Sequence, residues 1–159
     1  MERGLPVSGT VSFKDPNHEI RAVYELSRGG SVKFGRDGDR VKVKLDYETN
    51  DGRFLVFLKR PIASLKVACS PSVEPGGVVK AGLRVLDAAG ELVPALLPVE
   101  IRLYDAAGKE IDGAGYLVAE DGDARVAIRT NVNDAPGSYR LVFCDRASGL
   151  TVERTVERK

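Results

Sequence analysis

The sequence predicts an all-β protein built from two units. Apolar residues recur at every second position in almost every segment, and no stretch of about a dozen residues repeats them at helical spacing. Turns that join an acidic residue to glycine or proline return about every ten residues, which sets the cadence of short strands.

In the first unit, Val7, Val11 and Phe13 face one way, and Ile20, Ala22, Tyr24 and Leu26 repeat the pattern after the Asp15-Pro16-Asn17 turn. Gly29-Gly30 breaks the second strand, and a short strand from Ser31 to Phe34 leads into the Arg36-Asp37-Gly38-Asp39 turn. Val41, Val43, Leu45 and Tyr47 alternate with Lys42, Lys44, Asp46 and Glu48, so one face is apolar and the other must be wet. Asn50-Asp51-Gly52 then separates this strand from Phe54 to Leu58, five apolar positions in succession. Alternation, turn residues and apolar run together predict a hairpin, with a second strand covered on both sides. Phe54, Val56 and Leu58 are assigned to the first core. Leu55 and Phe57, with Pro61 and Ile62 at the exit, are assigned to contact with another domain.

That exit divides the chain into a small antiparallel sheet or sandwich over 1–62 and a seven-stranded sandwich over 63–159. Strands of the second unit are predicted at Leu65 to Cys69, Val78 to Leu86, Val99 to Tyr104, Gly115 to Ala119, Ala124 to Thr130, Ser138 to Cys144 and Leu150 to Glu157. Leu83, Val85, Val99, Ile101, Leu103, Val126, Ile128, Leu141, Phe143, Leu150 and Val152 form the predicted core. Arg84, Glu100, Arg102, Arg125, Arg129, Arg140 and Glu153 fall on the opposite faces.

The 159 residues carry a formal charge of +1, with a hydrophobic share of 43% and a charged share of 30%, the profile of a globular chain rather than a disordered one. Cut at Pro61-Ile62, the two parts hold 12 basic and 9 acidic residues, then 12 basic and 14 acidic, or +3 and −2. Neither balance is that of a nucleic-acid binder, and no apolar run approaches a membrane span. Met-Glu-Arg-Gly-Leu-Pro-Val-Ser-Gly lacks the charged and apolar regions of a signal peptide. Cys69 and Cys144 have opposite parity with respect to their strands' cores and read as free thiols, Cys69 buried and Cys144 less so.

Four segments carry a family likeness. Val73-Glu74-Pro75-Gly76-Gly77-Val78-Val79, Leu83 to Val93 with Asp87-Ala88-Ala89-Gly90, Val99 to Gly108 with Asp105-Ala106-Ala107-Gly108, and Asp134-Ala135-Pro136-Gly137-Ser138-Tyr139-Arg140 occur in that order. The second half thereby resembles a macroglobulin-like or bacterial immunoglobulin-like sandwich. Arg21 to Gly30 and Phe54 to Ile62 resemble the β-rich accessory region that follows the catalytic part of large bacterial glycosidase-like proteins. The resemblance implies an accessory module of a larger, exported carbohydrate-active protein. Its partners would be neighbouring domains of that parent, with carbohydrate as an alternative. It carries over no catalytic residue, because the matched positions are turn and core residues.

Chemistry is sparse. Glycoside hydrolysis needs two carboxylates across a cleft, whereas Asp46 and Glu48 share a face with Lys42 and Lys44. The single histidine, His18, lies in a turn, so a serine or cysteine nucleophile lacks its usual base. Asp37-Gly38-Asp39 and Glu120-Asp121-Gly122-Asp123 match no calcium loop, and calcium at Asp121 and Asp123 is a minor alternative to a plain hairpin turn. The sequence therefore points to no catalytic residue, no metal and no cofactor. Tyr24, Tyr47 and Tyr139 share faces with core aliphatics, which leaves Tyr104 and Tyr116 as the candidate ligand surface. Without tryptophan they make a small platform for a sugar.

Overall fold

The computed structural model describes residues 7–48, 52–111 and 115–159, and every regular element among them is a strand. The chain forms two compact units, Met1–Pro61 and Ile62–Lys159.

The first unit contains β1 (Val7–Lys14), β2 (Ala22–Glu25), β3 (Phe34–Asp37), β4 (Arg40–Tyr47) and β5 (Leu55–Leu58). One antiparallel sheet has the order β1-β4-β3, and β2 pairs with β5 in another. Both sheets contribute to one core. Val41, Val43 and Leu45 of β4 and Val23 of β2 are its buried centre, with Val11, Phe34, Leu55 and Phe57 packed around them. The charged face of β4 is exposed at Lys42, Lys44 and Asp46, as the alternation demands.

The expected hairpin between the fourth and fifth strands does not form. β4 is already bonded on both edges, to β1 and β3, so β5 crosses to the other sheet and pairs with β2. The Asn50-Asp51 part of the expected turn lies outside the described residues. Along β5 the expectation holds only in part: Leu55 and Phe57 pack on the first core, with the Phe57 ring centroid 4.4 Å from that of Phe13, while Phe54 is 69% exposed. Leu58 is buried and Val56 half-buried on the opposite side.

Strands of the second unit are β6 (Ser64–Cys69), β7 (Ser72–Val73), β8 (Val78–Leu86), β9 (Leu97–Tyr104), β10 (Gly115–Ala119), β11 (Asp123–Arg129), β12 (Gly137–Asp145) and β13 (Thr151–Arg158). A three-stranded sheet has the order β11-β8-β6, and a five-stranded sheet the order β10-β9-β12-β13-β7. The seven longer strands thus sort as first, second and fifth in one sheet and fourth, third, sixth and seventh in the other, an immunoglobulin-like sandwich. The two-residue β7 is the addition to the expected seven. After β6 the chain passes Pro71, which has no N–H to give, changes sheet and pairs in parallel with β13.

Sequence dictates the corners as well. At Asp87 and again at Asp105 the carboxylate Oδ1 accepts the N–H groups of the second and fourth residues onward, Ala89 and Glu91 at 2.9 and 3.0 Å, Ala107 and Lys109 at 2.9 and 2.8 Å. Gly90 and Gly108 close both turns at positive φ. The β10–β11 turn places Asp121 and Gly122 both at positive φ, with Glu120 and Asp123 exchanging two 2.9 Å backbone bonds.

The inward set Leu83, Val85, Val99, Ile101, Leu103, Ile128, Leu141 and Phe143 is buried. Three expected core members differ: Val126 and Val152 are half-buried, and Leu150 is 37% exposed because it closes the Asp145–Gly149 turn before β13 begins. Val156, further along β13, is buried, as is Arg158 at the strand's end.

Candidate functional site

The predicted ligand residues Tyr104 and Tyr116 both lie on the outer face of the five-stranded sheet. Period two along β9 sends Val99, Ile101 and Leu103 inward and Glu100, Arg102 and Tyr104 outward. On β12 the same rule turns Arg140, Val142 and Cys144 outward. Register then sets the neighbours: Tyr104 is opposite Arg140, Arg102 opposite Val142, and Glu100 opposite Cys144 on one side and Tyr116 on the other. Tyr104 and Tyr116 are therefore two same-face positions apart, roughly 14 Å along the strand.

Tyr104 does not present a free ring. The Arg140 guanidinium sits 4.4 Å from its centroid and bonds Glu153 Oε1 at 2.9 Å. A cavity of about 240 Å³ opens beside them, lined by Glu100, Arg102, Tyr104, Arg140 and Cys144 among others. Its charges are matched. Glu100 Oε1 accepts from Arg102 Nε at 2.9 Å, and Glu100 Oε2 lies 3.5 Å from Arg146 Nη1. Hydrogen bonding to Tyr104 and then to Glu100 holds the Arg102 guanidinium above its usual pKa. Tyr116, 72% exposed on the edge strand β10, is the one aromatic ring of the pair open to a ligand.

Other candidates are absorbed by structure. A wider cleft of about 570 Å³ borders Asp105, Ser138, Arg140, Glu153 and Arg154. There the Asp105 carboxylate is used by its own turn and Glu153 by Arg140. His18 is an exposed turn residue at φ 51°, with Nδ1 3.3 Å from Arg36 Nη1. Among the described residues no group of three or more His, Cys, Asp or Glu side chains is arranged to hold a metal ion. Cys69 and Cys144 are free, and both are half-buried, so Cys69 is less enclosed than its parity suggested. No helix among the described residues is long and apolar enough to cross a membrane.

Of the remaining predicted contact residues, Pro61 is exposed and Ile62 buried. Two polar centres escaped the sequence reading. Asp15 is buried and accepts the Glu19 and Ile20 N–H groups and Arg36 Nη1 at 2.9, 3.1 and 2.8 Å. Arg53, between the expected turn and β5, has a side chain only 3% exposed and binds Glu25 Oε1 at 3.0 Å.

No protein-family model and no curated protein matches the chain. Among solved structures, the Lin-41 filamin domain is similar at 13% identity and a TM-score of 0.46, over 60% of this chain and 91% of that one. The adhesin InvE of Yersinia pseudotuberculosis is 10% identical with a TM-score of 0.47, over 97% of this chain and 49% of the adhesin. A β-glucosidase from Listeria innocua in complex with isofagomine is 12% identical with a TM-score of 0.38, over 60% of this chain and 16% of the enzyme. This chain thus spans about half the adhesin and less than a fifth of the glucosidase.

Proposed function

We propose that the chain is a non-catalytic structural module of a larger, exported, carbohydrate-active protein, spacing or positioning neighbouring domains. One observation carries the reading: four buried or half-buried aspartates are committed to holding turns. Asp15, Asp87, Asp105 and Asp145 each accept hydrogen bonds from backbone N–H groups of their own corners. A carboxylate so bonded has its acceptor sites taken up by its own corner and is poorly placed to reach a substrate. The carbohydrate-active parent rests on the sequence resemblance of Arg21 to Gly30 and Phe54 to Ile62.

The full chain is expected to be folded and inert on a panel of aryl glycosides. Turnover that co-purifies with the protein through a second chromatographic step and vanishes in a single-residue variant would overturn the proposal.

A second reading makes the Tyr116 edge a glycan- or protein-binding surface of an adhesion module, favoured by the exposure of that ring. Affinity electrophoresis in polysaccharide gels tests it: retardation lost in Tyr116→Ala supports it, and equal mobility in every gel removes it.

A further inference from the structure

We propose that the outer face of the β6–β8–β11 sheet docks an extended acidic polypeptide segment, seated over Gly82 and Ala127 between Lys80 and Arg125. This surface belongs to the other sheet from Tyr104 and Tyr116 and does not depend on the function proposed above.

Strand parity buries Val79, Ala81, Leu83 and Val85 and turns Lys80, Gly82 and Arg84 outward. Register then places Arg84 opposite Asp123, Gly82 opposite Arg125, Lys80 opposite Ala127 and Val78 opposite Arg129. Each rung so carries one cation, drawn alternately from β8 and β11. Successive rungs are about 7 Å apart, so the four cations form a stripe about 20 Å long. Lys66, opposite Arg84 on β6, adds a fifth.

The charge is left uncompensated. Asp123 is the one carboxylate on these rungs, and its Oδ2 is 3.9 Å from Arg125 Nε with both side chains solvated. Arg129 bonds the neutral Gly76 carbonyl. Lys66, Lys80 and Arg84 have no ion-pair partner among the described residues. On the five-stranded sheet, by contrast, Arg102 and Arg140 are paired with Glu100 and Glu153. The residues from Ile62 onward hold 12 basic and 14 acidic side chains, so the stripe arises by segregation of charge and not from an excess of it.

Small residues open the surface between the cations. A groove of about 460 Å³ is floored by Ala68, Gly82 and Ala127 and walled by Lys80 and Arg125. The fold does not demand glycine at position 82. Its φ is not positive, and a Cβ there would meet nothing closer than the Ala124 carbonyl at 3.8 Å. What the missing side chain provides is access for another chain.

Charge complementarity calls for an anion, and spacing selects the kind. An extended polypeptide repeats its same-side residues about every 7 Å, the spacing of the rungs, so alternate acidic residues meet the cations in turn. Single-stranded nucleic acid gains much of its affinity from aromatic stacking, and the described rungs of this face carry no aromatic residue.

The full chain is titrated against a labelled peptide of about ten residues with glutamate and serine alternating, matched to the strand period. Comparison probes are a peptide of the same composition with the glutamates in one block, a heparin hexasaccharide and a short oligothymidylate. The alternating peptide is expected to bind at low salt, several-fold more tightly than the block peptide, and to weaken as salt is added. Lys80→Ser/Arg125→Ser should weaken it by about tenfold or more, and Lys42→Ser/Lys44→Ser in the first unit by less than about twofold. Gly82→Val, which fills the groove at constant charge, should also weaken it while leaving the melting temperature unchanged. Equal binding of the block peptide, tighter binding of the hexasaccharide or the oligonucleotide, or wild-type affinity in Lys80→Ser/Arg125→Ser would overturn the proposal.

Discussion

The Tyr139 hydroxyl donates a 2.7 Å hydrogen bond to the Ala135 carbonyl, tying the start of β12 to the corner that precedes it. The ring is fully buried, and the intervening Pro136-Gly137 step makes the reach possible. This is the tyrosine corner of immunoglobulin-like sandwiches. Tyr139→Phe removes this bond and is expected to destabilise the second unit by about 0.5–1.5 kcal/mol, read as a lower urea midpoint at unchanged slope. Burial first, and the Asp134 carboxylate next, push the Tyr139 phenol above the ordinary tyrosine range. With the folded pKa raised, this contribution is complete below the unfolded value of about 10 and is lost as pH rises through the folded one. Wild type should therefore weaken more steeply than Tyr139→Phe above about pH 10.

Gly122 and Gly90 separate two costs of replacing a turn glycine. Both sit at positive φ, 77° and 82°. A Cβ at Gly90 meets open space, whereas one at Gly122 would lie 2.7 Å from the Val93 carbonyl oxygen and 3.0 Å from that of Val85. Gly90→Ala should cost about 1–2 kcal/mol, the conformational term alone. Gly122→Ala adds overpacking of backbone that cannot rotate away, for a total of about 2–5 kcal/mol. Equal midpoints for the two variants would show that the β10–β11 turn shifts freely.

These positions also show what the sequence makes legible. Acidic-glycine turns are local, so Asp87 with Gly90 and Asp105 with Gly108 can be read directly, and with them the spacing of the second sandwich. Period two reports which residues share a face but not which strand lies beside it. The pairing of β5 with β2 instead of β4 was therefore hidden, because one edge of β4 is taken by the adjacent β3 and the other by β1, distant in sequence. Tyr116 was legible because strand parity turns it outward, where it is 72% exposed, while Tyr104 was only half so, since Arg140 stacks on it from a strand many residues away. The cationic stripe was invisible for a similar reason: Arg84, Arg125 and Lys80 align only once β8 and β11 are in register.

Asp15 should govern the acid limb of the first unit. Burial alone would raise its pKa, but the Arg36 guanidinium and the Glu19 and Ile20 N–H groups outweigh that and hold it below the ordinary value. A lowered folded pKa gives stability that is present above the unfolded value of about 3.9 and disappears as pH falls through the folded one. Asp15→Asn is accordingly expected to lower the first unit's stability at neutral pH and to flatten its decline below about pH 4. Parallel pH profiles for the two proteins would assign the acid limb to other carboxylates.

Glu25 and Arg53 form the costliest pair to break in the first unit. Their side chains are 10% and 3% exposed, and Arg53 Nη2 also donates to the Asp46 carbonyl at 2.7 Å, which anchors the chain as it leaves β4. Glu25→Ala removes the carboxylate bonded to the buried guanidinium, a change expected to cost about 3–5 kcal/mol. Glu25→Leu/Arg53→Met removes both charges together. It should recover much of that loss, because a buried ion pair gains little over apolar side chains of similar volume once desolvation is counted. Recovery should be incomplete, since the Asp46 carbonyl loses its donor in the double variant. Urea unfolding of the single and double variants measures both terms. A Glu25→Ala cost below about 1 kcal/mol would place the pair with solvated surface bridges instead.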